Sequence, residues 1–145
     1  MRPIASQSPL VALESTVISH GLPYPHNLRL APRLGEVLRG GSVTLDTGNF
    51  GWAGHGPSQV PADFAAVLPN VVSVHVKDGV WRAAAGGGPS VFQFVPAGSG
   101  PLPLADWLRV LAGRSYQGAV CSEYEGGGDF RDGTRASIAY LKTIS

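Results

Sequence analysis

Short apolar runs rich in β-branched residues recur along the chain, and each ends in a carboxylate or an imidazole. The clearest lies within residues 42–52 (SVTLDTGNFGW), where a Val-Thr-Leu run leads directly into Asp46. Such a run predicts a short buried strand, and a carboxylate at its tip is costly unless a partner neutralises it. In parallel α/β proteins this end of a strand is where ligands and metals bind.

Three other segments have the same form. Residues 71–78 (VVSVHVKD) alternate valine with polar side chains, residues 118–126 (GAVCSEYEG) pass from an apolar run into two glutamates, and residues 10–15 (LVALES) carry one glutamate. The four predicted strands therefore bear these side chains at corresponding places: Glu14, Asp46, His75 and Glu123. Carboxylates with one imidazole suit a divalent ion such as Mn²⁺, Mg²⁺, Co²⁺ or Zn²⁺.

Helix-like segments follow the predicted strands. Apolar residues at helical spacing predict helices over residues 27–38, 106–111 and 134–142, with a shorter one beginning at Pro61. Strands that alternate with helices imply a parallel sheet with right-handed crossovers. A closed barrel of eight such units needs about 250 residues, so the 145 residues of this chain predict an α/β fold with about four units, half of a barrel.

Two departures from this alternation are predicted. Residues 80–82 and 91–95 have the composition of paired strands, and the glycines at 86–88 suit the turn of a hairpin between them. Directly after Asp46, the sequence Thr-Gly-Asn at residues 47–49 predicts a sharp turn. The last predicted helix is expected to bury Ile138 and Leu141.

Composition narrows the class of protein. The length predicts one domain, residues 9–145, after a loose segment at residues 1–8. A formal net charge of +1 without a basic stripe argues against a nucleic-acid partner, and no apolar run approaches a membrane span of about 20 residues. The single cysteine, Cys121, allows no intrachain disulfide, so a cytoplasmic location is expected.

Three motifs resemble the sugar phosphate isomerase/epimerase family, whose fold is the xylose isomerase-like TIM barrel. They are LDTGNF at residues 45–50, SVHVKD at 73–78 and SYQGAVCSEYEG at 115–126. These motifs are similar to the second-half motifs of that barrel, and the resemblance covers roughly residues 35–141. It departs from the family pattern at Ser73, which stands where the family has the first histidine of a His-x-His pair.

The resemblance implies the roles of the strand-end residues. Asp46, His75 and Glu123 are implied as metal ligands, and Glu14 corresponds to the family's first glutamate ligand, with Ser15 in place of asparagine. The implied activity is isomerisation or epimerisation of a small sugar or sugar phosphate, with Glu14 and Glu123 moving a proton through an enediolate. Further contacts to the substrate are predicted from three nearby residues: Asn49, Lys77 and Arg82.

The N-terminal segment has a second resemblance. Residues 11–28 (VALESTVISHGLPYPHNL) are similar to the opening of pseudouridine-5′-phosphate glycosidases, over about 20 residues. In that family the glutamate, here Glu14, transfers a proton and a lysine forms a Schiff base with the sugar. The two lysines present, Lys77 and Lys142, lie outside a recognisable version of that context. A glycosidase-like fragment and a non-catalytic barrel remnant are therefore the alternatives to the isomerase.

Structural interpretations compete with the functional ones. Asp46 before Thr-Gly-Asn is typical of a residue that caps a turn, and His75 in a valine-rich strand is typical of a hydrogen-bonded core histidine. Asn49, Lys77 and Arg82 are equally typical of polar loop residues. Half of a barrel would also leave two strand edges open, which predicts either a homo-oligomer or association with a missing N-terminal half-barrel.

Overall fold

A four-stranded parallel sheet organises the protein. The computed structural model describes residues 12–14, 42–52, 64–65, 67–84, 86–88 and 90–144, with residues 12–14, 51 and 52 described by their backbone alone. The strands of this sheet, in spatial order, are β1 (Ala12–Glu14), β2 (Ser42–Asp46), β3 (Val71–Val76) and β6 (Ala119–Ser122). All three neighbouring pairs are parallel. The four predicted strands are thus confirmed, and their carboxyl ends lie at one edge of the sheet.

A hairpin follows β3. Strands β4 (Asp78–Arg82) and β5 (Val91–Val95) pair in antiparallel register, with Trp81 opposite Phe92. The rings of these two residues meet edge to face with their centroids 5.4 Å apart. Gly86 and Gly87, between the strands, have positive φ angles, which glycine adopts without strain. The predicted hairpin is confirmed, and it begins directly after the residue that follows β3.

The chain after Asp46 is helical, which corrects the predicted sharp turn. Helix α1 spans Thr47–Trp52. Asp46 Oδ1 accepts hydrogen bonds from the N–H groups of Gly48 at 2.9 Å and Asn49 at 3.3 Å, as an N-cap side chain does. The Asp-Thr-Gly-Asn pattern that suggested a turn therefore begins a helix, because the same aspartate geometry satisfies the first donors of either structure.

The two later helices are longer than predicted. Helix α2 spans Leu104–Gly113, and its buried side chains at helical spacing are Leu104, Trp107 and Leu111. Helix α3 spans Phe130–Leu141 and begins four residues before the predicted start, since the Asp129 side chain accepts a hydrogen bond from the Arg131 N–H at 2.8 Å. The helical segment before β3 is partly described: residues 64, 65 and 67 are helical and Leu68–Asn70 form a 3₁₀ turn. The helix predicted over residues 27–38 and the loose segment at 1–8 lie outside the described residues.

Helix α3 buries a face that differs in part from the predicted one, because Leu141 packs partly buried against the core as expected but Ile138 does not. Ile138 is 41% exposed, whereas Gly133 and Ser137 are buried. The Ser137 hydroxyl accepts a hydrogen bond from the Ala97 N–H at 3.0 Å and donates one to the Gly133 carbonyl at 2.9 Å. A side-chain carbon at Gly133 would overlap the ring of Tyr124. Small residues therefore form the contact face of α3, because the neighbouring loop and ring approach it closely.

The hydrophobic core lies on one face of the sheet. Alternate strand residues on this face, such as Leu45, Val74 and Val76, are almost fully buried. Across from them, the Trp107 ring stacks on Phe64 with centroids 5.1 Å apart and meets Phe50 edge to face at 5.8 Å. Several alternating positions on the opposite face of the sheet are half-buried or exposed, whereas Asp46, also on this face, is buried; the half-buried or exposed residues are Thr44, Ser73, His75, Ala119 and Cys121. The core side chains therefore hold the strands together, while the polar side chains of the other face are available to bind a ligand.

Candidate metal centre

Strand register brings Asp46, His75 and Glu123 together. Asp46 is the register partner of His75 across β2 and β3, and His75 is the partner of Cys121 across β3 and β6. Glu123 follows β6 directly, and its N–H donates to the Val76 carbonyl at 3.0 Å, which continues the ladder by one residue. Because side chains alternate between faces along a strand, positions 121 and 123 point the same way as His75. Three predicted ligands thus share one corner of the sheet.

The three side chains form a compact donor set. One ligand atom from each residue lies within 4.8 Å of the other two. His75 Nδ1 is 2.9 Å from Glu123 Oε2, and Asp46 is completely buried. Among the described residues, Glu123 Oε2 is buried and makes no contact with hydrogen-bond geometry. Two carboxylates and an imidazole are suitable ligands for Mg²⁺, Mn²⁺, Co²⁺ or Zn²⁺, so these residues fit a divalent ion.

Asp46 uses its two oxygens for different purposes. Oδ1 caps α1 as described above, while Oδ2 lies 3.1 Å from Lys77 Nζ. Burial raises the pKa of the Asp46 carboxyl above its ordinary value, although the Lys77 charge and the hydrogen bonds to Asp46 act in the opposite direction. The capping and ligand interpretations of this aspartate are therefore compatible, since each concerns a different oxygen.

Lys77 lies at the centre of the acidic residues. Its Nζ is 2.9 Å from Glu125 Oε1, 3.1 Å from Asp46 Oδ2 and 3.4 Å from Glu123 Oε2. Burial by itself would lower the pKa of Lys77, but the hydrogen bond to Glu125 and the charges of Asp46 and Glu123 outweigh it and raise that pKa. Lys77 is consequently a permanent ammonium at neutral pH, and it balances part of the negative charge around it.

Helix α1 holds the backbone of Lys77 in place. The buried Thr47 hydroxyl donates to the Lys77 carbonyl at 2.6 Å and accepts from the Lys77 N–H at 2.8 Å. A side-chain carbon at Gly48 would lie 2.7 Å from Lys77 Cβ, so only glycine allows this approach without a shift. The residues 47–49 that were predicted as a turn therefore position the lysine.

Glu14 is described by its backbone alone. It ends β1 and is the register partner of Thr44, whereas Asp46 lies two residues further along β2. Both positions are on the same face of the sheet, because they are separated by an even number of residues in register. Position 14 thus lies nearer the amino ends of the strands than Asp46 does, and the role of Glu14 as ligand and proton carrier stays a prediction.

The predicted substrate contacts differ in their surroundings. Asn49 is buried in α1 and its N–H donates to Asp46. Lys77 is within the cluster, as described. Arg82 is exposed at the far end of β4, about 13 Å along the strand from Asp78 at 3.3 Å per residue. Asn49 and Lys77 adjoin the ligand set, while Arg82 lies along the hairpin.

Two residues of the cluster were not assigned a role by sequence. Glu125, with a side chain that is 45% exposed, makes the shortest ion pair with Lys77. Thr47 had no predicted role, although its hydroxyl joins α1 to the residue after β3. The Glu-x-Glu spacing at 123 and 125 was a visible signal, because it puts both carboxylates on one side of an extended chain. The Thr47 contact depends on tertiary packing and had no signal in the sequence.

The fold and the site together define a class: a parallel α/β sheet with carboxylates and an imidazole gathered at the carboxyl ends of its strands. Residues 40–144 match the family described as xylose isomerase-like TIM barrel. The chain therefore belongs to this family, over a segment that contains β2, every later element and all three members of the donor set. The predicted family resemblance is confirmed.

Two solved structures show the same fold. A xylose isomerase-like TIM barrel protein from Mycobacterium smegmatis, solved in complex with magnesium, has a TM-score of 0.62 and 18% identity, over 83% of this chain and 39% of that chain. A xylose isomerase domain protein from Planctomyces limnophilus has a TM-score of 0.56 and 22% identity, over 79% of this chain and 42% of that one. This chain spans about two fifths of each, so the prediction of a partial barrel is confirmed.

The N-terminal segment matches another family. Residues 2–47 match the family described as Indigoidine synthase A like protein. The pseudouridine-5′-phosphate glycosidase of Herpetosiphon aurantiacus is 62% identical over 43 residues, which are 30% of this chain and 14% of that enzyme. The enzyme of Symbiobacterium thermophilum is 40% identical over 72 residues, 48% of this chain and 23% of that enzyme. The glycosidase resemblance is confirmed and is longer than the predicted 20 residues, and the chain spans less than a quarter of either relative.

No helix in the part of the chain that the structure describes is long and apolar enough to cross a membrane.

Proposed function

We propose that this protein is a divalent-metal-dependent isomerase or epimerase of a small sugar or sugar phosphate. The observation that carries the proposal is the convergence of Asp46, His75 and Glu123 within 4.8 Å at the carboxyl ends of parallel strands. Membership of the xylose isomerase-like family and the magnesium in the Mycobacterium smegmatis relative support it.

The residues divide the work in this proposal. Asp46, His75 and Glu123 would hold the ion, which when bound would polarise a substrate carbonyl and its neighbouring hydroxyl. Glu123 and Glu14 would transfer the proton between adjacent carbons by way of an enediolate, as general base and general acid. The Lys77 ammonium lies beside the ligand set, the Asn49 N–H donates to Asp46, and the side chains of both residues would bind substrate oxygens. Arg82 would contact a phosphate if the substrate reaches the hairpin.

The metal site is tested by substitutions of its two partly exposed members. His75→Ala and Glu123→Gln are each expected to weaken Mn²⁺ binding by at least about a hundredfold, since each removes one ligand of the described donor set. Elemental analysis after gel filtration and calorimetric titration with Mn²⁺ would measure the loss. Asp132→Asn is the matched control, because Asp132 is an exposed carboxylate on α3 that pairs with Arg135. Metal content that stays unchanged in both ligand variants would refute the assignment.

The glycosidase is the second candidate, because the pseudouridine-5′-phosphate glycosidase of Herpetosiphon aurantiacus is 62% identical to this chain over 43 residues. Its chemistry requires a neutral lysine amine to attack the sugar carbonyl. Lys77 is poorly suited, since its surrounding carboxylates raise its pKa and keep it protonated. Borohydride trapping with ribose 5-phosphate would decide: a covalent adduct at Lys77 or Lys142 would favour the glycosidase, and none is expected. A chain that retains no divalent ion would instead favour the non-catalytic remnant.

Self-association is a further prediction. Strand β6 pairs with β3 on one side and with no described strand on the other, and Val120 within it is 45% exposed. Beside it, a cavity of about 720 Å³ lies between α2 and α3, lined by Leu108, Val120 and Ile138 among others. Open parallel edges are templates for pairing. We expect a dimer, or a complex with a separate half-barrel, by sedimentation at micromolar concentration; a clean monomer would count against this.

A further inference from the structure

The Lys77 ammonium contacts the same carboxylates that the proposed metal ion needs. Its Nζ lies 3.1 Å from Asp46 Oδ2 and 3.4 Å from Glu123 Oε2, and its side chain is only 9% exposed. A divalent ion bound to those two residues would require oxygens at about 2.0–2.2 Å. Lysine and ion would then be two cations on the same oxygens, close enough to repel each other strongly in a buried site.

Glu125 offers the lysine another partner. Its Oε1 is 2.9 Å from Lys77 Nζ, the shortest of the three ion pairs, and its side chain is 45% exposed. Glu125 is outside the compact donor set of Asp46, His75 and Glu123. If the ion binds Asp46 and Glu123 while Lys77 stays paired with Glu125, each cation is balanced by carboxylates of its own. With Glu125 removed, the displaced ammonium would have no such partner among the described residues.

We propose that Lys77 and the divalent ion exchange places on Asp46 and Glu123, and that Glu125 retains the displaced lysine. This inference depends on the proposed metal function and adds a determinant of affinity to it. Lys77 holds the carboxylates together in the metal-free protein and gives them up when the ion binds. Glu125 is then a positioning residue that acts through Lys77, and the pair sets how tightly the site binds metal.

The first test follows the lysine in the unaltered protein. The chain has two lysines, Lys77 and Lys142, and Lys142 is exposed after α3. Reductive methylation with limiting formaldehyde, read by peptide mass spectrometry, gives the modification rate of Lys77 relative to Lys142. We expect this ratio to rise several-fold with saturating Mg²⁺, because the side chain moves towards the exposed Glu125. A ratio that stays constant or falls while Mg²⁺ binds would overturn the exchange.

The second test measures Mn²⁺ affinity in a double-mutant cycle. Lys77→Met is expected to bind Mn²⁺ about tenfold more tightly, because the competing cation is gone, and Glu125→Gln about tenfold more weakly. In the Lys77→Met background, Glu125→Gln is expected to change nothing, because Glu125 acts only through the lysine. A Glu125 effect that persists in that background would reduce its role to general electrostatics and overturn this part of the proposal.

The outcomes separate this proposal from the one on which it depends. Equal Mn²⁺ affinity in the unaltered protein and in Lys77→Met would overturn the exchange and leave the metal site intact. Binding by Lys77→Met alone would show that the lysine excludes the ion from the unaltered protein, and it would overturn the exchange. Absence of binding in every variant would overturn the metal function as well. If Lys77→Met does not fold, the methylation ratio in the unaltered protein decides.

Discussion

Replacing Asp46 with alanine is expected to abolish metal binding and also to destabilise the metal-free protein by about 3 kcal/mol. The substitution removes the helix cap that accepts the Gly48 and Asn49 N–H groups, and it removes the most buried of the three carboxylates around Lys77. Loss of a cap typically costs about 1 kcal/mol, and breaking one side of a buried ion pair costs more. Breaking a buried ion pair typically costs about 3–5 kcal/mol. Because Lys77 retains Glu123 and Glu125, we expect a loss of stability near the lower end of that range.

Asp46→Asn and His75→Ala separate the two effects. The asparagine side chain keeps an oxygen that can cap α1. We therefore expect Asp46→Asn to lose less than half as much stability as Asp46→Ala and to lose metal binding to the same extent. His75→Ala is expected to lose metal with a stability change under about 1 kcal/mol, because that side chain is 37% exposed. Urea unfolding in EDTA and Mn²⁺ titration measure the two quantities. An Asp46→Ala protein as stable as His75→Ala would contradict the structural role given to this carboxylate.

Replacing Asp78 with alanine is expected to destabilise the protein by about 3–5 kcal/mol without direct loss of a metal ligand. Asp78 is 1% exposed, and its carboxylate accepts hydrogen bonds from the N–H groups of Gly79, Gly98 and Gly100 at 2.9–3.0 Å. Alanine would leave these buried donors without an acceptor, at about 1–3 kcal/mol for each donor that water does not reach. Urea unfolding measures the loss. Asp106→Ala, an exposed carboxylate paired with Arg109 on α2, is the control and should change stability by less than about 0.5 kcal/mol.

The contribution of Asp78 is expected to depend on pH. Burial raises the pKa of its carboxyl above the ordinary value of 3.8, although the backbone donors oppose that rise. The folded protein therefore holds this proton more tightly than the unfolded chain does. The part of its stabilisation that is linked to this proton is complete below pH 3.8 and is lost as the pH rises through the raised pKa, while the backbone hydrogen bonds to its oxygens remain. The stability of the unaltered protein relative to Asp78→Asn should thus decrease as the pH increases from 3.8 through the raised pKa, and a relative stability that increases would contradict the shift.

The sequence was sufficient to locate the donor set because the set follows from strand ends. Asp46 ends β2, His75 is the last residue but one of β3, Glu123 directly follows β6, and parallel strands bring such ends to one edge of the sheet. The hairpin was predictable for the same reason, since two short apolar runs flank a glycine turn. Local patterns of this kind need no knowledge of what packs against them.

The features that escaped prediction depend on contacts between distant parts of the chain. Helix α1 was taken for a turn because an aspartate caps both structures with the same hydrogen bonds. The buried face of α3 was assigned to Ile138 on hydrophobicity, whereas the close approach of Tyr124 to Gly133 decides it. The ion pairs of Lys77 could not be predicted from local sequence either, because its partners come from β2 and from the segment that follows β6.

The double use of the Asp46 carboxylate has an evolutionary consequence. A lineage that lost catalysis would still need this aspartate to begin α1 and to neutralise Lys77, so selection for folding alone would preserve it. His75 and Glu123, both partly exposed, carry much less of the stability and would drift first. Under the proposed function, retention of the imidazole and of the second carboxylate would therefore distinguish an active enzyme from a protein that keeps only the fold.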